Sequence, residues 1–136
     1  MVDKTLIFRK LAELEAYIGQ ISEFKSISVE DYRSDWKTQR IIERTLHLMI
    51  ELCLDVGGHI ISDNKFRVPD SYADEFRVLH ENGIVSDALM TALVKMAKFR
   101  NIIVHQYEKV DPEIVISILR NNISDFQRFS DEIAAL

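Results

Sequence analysis

A lone cysteine, Cys53, stands in a chain of 136 residues that also has only two prolines, four glycines and one tryptophan. One thiol cannot close an internal disulfide, so a disulfide scaffold is excluded. A reduced, cytoplasmic compartment is the expectation, with Cys53 packing rather than reacting. So few glycines and prolines leave little material for long turns, which suits helices joined by short connections. There is no Gly-rich phosphate loop, no G-x-S-x-G elbow and no H-E-x-x-H or Glu-x-x-His pair, so those nucleotide-binding, serine-hydrolase and metal-site signatures are missing. No run reads as long and apolar enough to span a bilayer, and the N-terminus lacks a signal-peptide core. The net charge of −5 argues against a general nucleic-acid coat protein, because phosphate binding rests on positive potential.

What is present is periodic. The chain, 47% hydrophobic, is expected to be a single all-α domain over residues 1–136, an up-and-down bundle of about five helices. Ile7, Leu11, Leu14, Ile18 and Ile21 keep the spacing of one buried helical stripe. Ser28 is the expected N-cap of a long second helix, with Glu30 and Asp31 in its first turn. Its core stripe is Ile42, Leu46, Met49, Cys53, Val56 and Ile60. Ile41, Leu48 and Leu52 add a second apolar edge, so that helix is either central or faces another subunit as well. Gly57-Gly58 should loosen its end or let a neighbouring helix come close. A third helix is expected from Pro69 to Gly83, carrying Tyr72, Phe76 and Leu79. Ser86 caps a fourth, and Asp111-Pro112 opens a last helix bearing Ile116, Leu119, Ile123, Phe126 and Ile133.

The chemistry gathers where the fourth helix runs out, in Arg100-Asn101-Ile102-Ile103-Val104-His105-Gln106-Tyr107. Arg keeps its charge at every relevant pH and forks onto phosphate oxygens. His is the side chain best suited to move a proton near neutrality. Lys95, Lys98, Arg100 and Lys109 against Glu108 make this segment basic on an acidic chain. Such a patch fits an RNA-contacting site and equally a docking surface. Geometry complicates the first reading. At ~100° per residue, Arg100 and His105 point ~140° apart on a continuous helix, while Asn101 and His105 share a flank with Lys98. Either the helix unwinds near Val104, or the Arg side chain curls round, or two copies share a cleft.

Arg-x4-His-x-Tyr with Asn after the Arg resembles the HepT-type toxins of the HEPN superfamily, all-helical ribonucleases paired with nucleotidyltransferase antitoxins of the MNT type. The likeness extends through Ile42-Glu43-Arg44-Thr45-Leu46-His47, Cys53-Leu54-Asp55-Val56-Gly57-Gly58-His59-Ile60-Ile61, Val68-Pro69-Asp70-Ser71-Tyr72, Phe76-Arg77-Val78-Leu79 and Met96-Ala97-Lys98-Phe99. It implies a HEPN-type bundle acting as a homodimer, with Arg100 and His105 of both copies meeting at the interface to cleave RNA without a metal or cofactor. Asn101 and Lys98 would support the substrate. The resemblance also implies that Tyr107 receives AMP from the partner nucleotidyltransferase, blocking the site.

Blander readings stand beside these. Arg100 could pair with a carboxylate at the bundle surface, His105 could be a cation favoured at a helix C-terminus, and Tyr107 a half-buried aromatic. His47, Glu51 and Asp55 recur at i, i+4 and i+8 and could present metal ligands, but Arg40 and Arg44 share that strip, so a charged face is the better reading. His59 and His80 have no partner at ligand spacing. The rival function is a catalytically silent helical module that docks a nucleotidyltransferase.

Overall fold

The computed structural model describes residues 3–136; the expected domain begins two residues earlier, outside the described part. The described residues form helices α1 (Lys4–Ile21), α2 (Val29–Ser34), α3 (Trp36–Asp63), α4 (Tyr72–Glu81), α5 (Asp87–His105), α6 (Pro112–Asn121) and α7 (Ile123–Ala134), with 3₁₀ turns at Ser22–Phe24 and Tyr107–Lys109. The all-α class holds, with seven helices among these residues where about five were expected.

Each difference has a local cause. Ser28 does cap a helix, its Oγ accepting from Asp31 N at 3.1 Å. That helix ends at once because Asp35 turns extended and starts another. The Asp35 carboxylate accepts from Lys37 N at 3.0 Å and from the Thr38 hydroxyl at 2.8 Å, a strong N-cap that makes Trp36 the first residue of α3. Gln39 Nε2 then donates back to the Tyr32 and Arg33 carbonyls, at 2.8 and 3.0 Å, satisfying the end of α2. The last expected helix likewise divides at Asn122, which leaves helical geometry between α6 and α7. Pro69 does not open α4. Ser71 does, accepting from Asp74 N at 3.0 Å, and Pro69 lies in the preceding loop.

α3 is the central helix and packs against α1, α2, α4, α5 and α7. Its stripe of Ile42, Leu46, Met49, Cys53, Val56 and Ile60 is buried throughout. By length and composition alone α3 is apolar enough to cross a bilayer, which corrects the reading that no run qualifies. Half of that stretch is buried inside the bundle, as befits a core helix. Helix 3 also passes close to α4: a Cβ on Gly57 would stand 2.8 Å from Glu75 Oε2 and 3.0 Å from Leu79 Cδ1. The glycine pair therefore works as a close-approach point, and α3 continues past it without loosening. Gly83, at φ +72°, closes the turn after α4 as expected.

The loop into α4 is stapled. Arg67 forks onto Asp74 (2.7 and 2.9 Å) and onto Glu81 (2.9 and 2.8 Å), while Asp70 N donates to Asp74 Oδ2 at 2.9 Å. The Arg67 guanidinium, with that backbone donor, holds the Asp74 carboxyl well below the usual carboxylate range. This staple fixes where Tyr72, the first residue of α4, stands beside α5.

Candidate active site

α5 runs unbroken to His105, so the motif does not unwind near Val104. The helix stops one residue later, where Gln106 turns to φ −134° and its N–H still bonds the Ile102 carbonyl at 2.9 Å. His105 thus occupies the last helical position and is exposed. Tyr107 follows in the 3₁₀ turn with 52% of its surface open.

Arg100 takes another direction. Its side chain is only 12% exposed, and Nε donates to Glu51 Oε1 of α3 at 2.5 Å. The guanidinium carbon lies 4.6 Å from the centre of the Tyr72 ring, a cation held over an aromatic face. One terminal nitrogen donates to Asn101 Oδ1 at 3.3 Å. The blander alternative of a carboxylate partner for Arg100 thus has a basis in Glu51, although Arg100 is largely enclosed there and not at the surface.

Glu51 has a second donor. His47 Nε2 lies 3.3 Å from the same Oε1, and His47 Nδ1 lies 3.2 Å from the Arg44 guanidinium. A guanidinium can only donate, so Nδ1 accepts and the imidazole proton sits on Nε2, pointing at Glu51. The strip once weighed as a metal face is instead a chain of contacts from Arg44 to Arg100. Asp55 leaves that chain to pair with Lys10 at 2.5 Å and His59 at 3.5 Å. Among the described residues no three His, Cys, Asp or Glu side chains are grouped to share a metal ion. His80 bonds the Val85 carbonyl through Nδ1 at 3.0 Å.

Asn101 and His105 line an open cavity of about 560 Å³ together with Tyr72, Glu75 and Gln106. Tyr72 and Glu75 also line a neighbouring cleft of about 670 Å³ that contains Glu51, Asp55 and Leu48. Within one chain, then, Asn101 and His105 share a cavity and Arg100 is held by Glu51, with Tyr72 and the Arg100–Asn101 contact linking the two groups. Arg100 is not among the residues lining the His105 cavity. Lys98 is exposed and also stands outside it.

Two members of this site escaped the sequence. Tyr72 read as a core residue of its helix, yet it is the surface on which Arg100 rests. Glu75 gave no signal of its own. Burial, reinforced by Asp55 and Glu51, pushes its carboxyl up to about 8, and its Oε2 finds no hydrogen-bond partner among the described residues. The Gly57-Gly58 pair was the only hint, since it makes room for that carboxyl.

Comparison with known proteins gives the family. The family model described as ribonuclease HepT-like matches residues 14–133. The chain is 28% identical to the mRNA nuclease HepT of Shewanella oneidensis over 130 residues, covering 96% of this chain and 97% of that one. It is 25% identical to the tRNA nuclease HepT of Aphanizomenon flos-aquae over 132 residues, covering 97% and 90%. A solved structure of a tri-AMPylated Shewanella oneidensis HEPN toxin in complex with MNT antitoxin superposes with a TM-score of 0.88 at 29% identity, covering all of both chains.

Proposed function

Because the chain belongs to the ribonuclease HepT-like family, we propose that it is a metal-independent endoribonuclease, the toxin of a toxin–antitoxin pair, cutting RNA through Arg100 and His105 at a dimer interface. The observation that carries this reading is the cavity shared by Asn101 and His105 beside an Arg100 already clamped in place by Glu51 and Tyr72. His105 takes the proton of an RNA 2′-hydroxyl, the 2′-oxygen attacks phosphorus, and the bond to the 5′-oxygen breaks as that oxygen receives a proton. Two His105 side chains facing one another divide the tasks of base and acid. Arg100 neutralises the charge that gathers on the non-bridging oxygens. The products are a 2′,3′-cyclic phosphate and a 5′-hydroxyl, and DNA resists for want of the nucleophile. Asn101 holds an Arg100 nitrogen while facing the His105 cavity, and Lys98 adds positive potential on the flank.

Tyr107 is the site of control. A nucleotidyltransferase antitoxin transfers AMP to it: the phenol oxygen attacks the α-phosphorus of ATP and pyrophosphate leaves. The exposed ring two residues past His105 supports this, since AMP there puts bulk and negative charge at the mouth of the cleft. The relatives are named for mRNA and for tRNA, so the substrate is set here at the level of RNA.

One observation favours the silent docking module instead, the near-complete enclosure of Arg100 in its pair with Glu51. A single experiment separates the two. Wild type should cut a cellular RNA pool in excess EDTA, and Arg100→Ala or His105→Ala should slow cutting by about 10²–10³. Pre-incubation with the antitoxin and ATP should silence the wild type and leave Tyr107→Phe active. Partner binding without any cleavage would establish the docking module. Cutting that EDTA stops, or that both mutants retain, would move the chemistry elsewhere.

A further inference from the structure

Trp36, the chain's one tryptophan, is 60% exposed at the first position of α3. The Arg40 guanidinium carbon lies 5.3 Å from the centre of its ring and Lys37 Nζ lies 5.7 Å away. From Trp36 the residues Arg40, Arg44, His47 and Glu51 follow at steps of three and four, the spacing that keeps side chains on one face of a helix. They touch in two groups one helical turn apart, Arg40 on Trp36, and Arg44 on His47, His47 on Glu51 and Glu51 on Arg100. Roughly 22 Å of helix separates the Trp36 ring from the Glu51–Arg100 pair at about 1.5 Å rise per residue.

We propose that this edge of α3 is a track for single-stranded RNA, leading from Trp36, on which a base stacks, past Arg40 and Arg44, which hold phosphates, to Arg100. The inference rests on the nuclease reading above and adds to it the route by which the strand arrives. A flat aromatic beside cations is the arrangement by which single strands are held without sequence readout, because every base offers a π-face and every nucleotide a phosphate. A chain of net charge −5 needs its cations concentrated where the strand runs. The nearby acids are otherwise engaged. The Asp35 carboxylate caps α3, and Glu43 is turned to the Tyr32 hydroxyl, with its own carboxyl pushed up by burial. An acidic protein surface would also suit the cations and the exposed ring, but it would gain nothing from the continuity with Arg100.

The sole tryptophan supplies its own probe. A short unstructured RNA added to His105→Ala protein should quench Trp36 emission in step with binding followed by anisotropy of an end-labelled copy. In otherwise wild-type protein, Trp36→Leu should raise KM roughly tenfold with kcat little changed. Arg40→Gln should lower the slope of log Kd against log salt by about one. RNA that binds while Trp36 emission stays constant would overturn the track and leave the nuclease reading standing. Failure of His105→Ala and wild type alike to bind any RNA would overturn both. A Trp36→Leu protein that keeps its melting temperature but loses dimerisation or antitoxin binding would show the face to be a protein interface, and the track would fall.

Discussion

Glu51 decides what Arg100 can do. A guanidinium on a long, flexible stem loses much of its value in catalysis if it must be ordered at the moment of reaction, and here that ordering is done in advance by one carboxylate and one ring. The sequence presented both ends of this contact, but they lie 49 positions apart, and nothing in local spacing ties a helical carboxylate to an Arg so distant. Arg100 and His105 could be put forward from the sequence because the chemistry of their side chains is distinctive. Glu51 could be read only as part of a charged strip and Tyr72 only as a core residue, because positioning residues are defined by what they touch. Glu51→Ala should keep the fold and lower kcat by about ten- to a hundredfold with a smaller change in KM, since it removes orientation rather than charge stabilisation. Glu51→Gln keeps an oxygen that accepts from Arg100 Nε and should recover most of the rate. Steady-state cleavage of one defined RNA by the three proteins checks this. Full activity in Glu51→Ala would mean that the pair has no part in the reaction.

α3 meets α4 closely where Gly57 admits the Glu75 side chain. Periodicity found the buried stripe of α3 and most of that of α1 because apolar spacing survives whatever the chain does at its ends. It missed the breaks at Asp35 and Asn122, where one polar residue outweighs the run of helix formers around it, and it could not see an acid entering the space left by a glycine. That acid has a measurable signature. The Glu75 carboxyl sits at about 8 in the folded protein against an ordinary value of 4.5, so between these pH values the folded state keeps a proton that the unfolded chain has lost. Stability from this group is therefore full below about pH 4.5 and falls as pH rises toward 8. Glu75→Gln cannot titrate, and its urea midpoint should decline less than wild type between pH 5 and 8. The difference should be on the order of a few kcal/mol or less, given that the group is not wholly buried. Parallel pH dependence in the two proteins would show that Glu75 is solvated and ordinary.

At the scale of the whole molecule, one chain holds an incomplete arrangement. His105 and Asn101 open onto one cavity, and Arg100, which does not line it, is anchored on Glu51 and Tyr72 at its edge, so a second copy is the simplest way to set an Arg100 and a His105 on one phosphate. The apolar surplus read from the sequence is only partly absorbed in the fold. Ile41 remains 52% exposed, and Val104, inside the motif, is exposed too, whereas Leu48 and Leu52 line the cleft beside Glu51. The exposed Val104 beside the His105 cavity points to a second copy closing over the end of α5, bringing the motifs together. The protein should run as a homodimer in light scattering at micromolar concentration. Val104→Glu, which sets a charge between the motif residues, should yield monomer and lose cleavage at the same time. Complementation is the sharper measurement. Arg100→Ala and His105→Ala should each be nearly inactive alone, and mixing them under conditions that exchange subunits should restore part of the activity, because the mixed dimer carries one Arg100 and one His105. A mixture as inactive as its components, with exchange demonstrated by mass, would mean that each chain cuts alone, and the single-chain geometry would have to supply Arg100 by a movement away from Glu51.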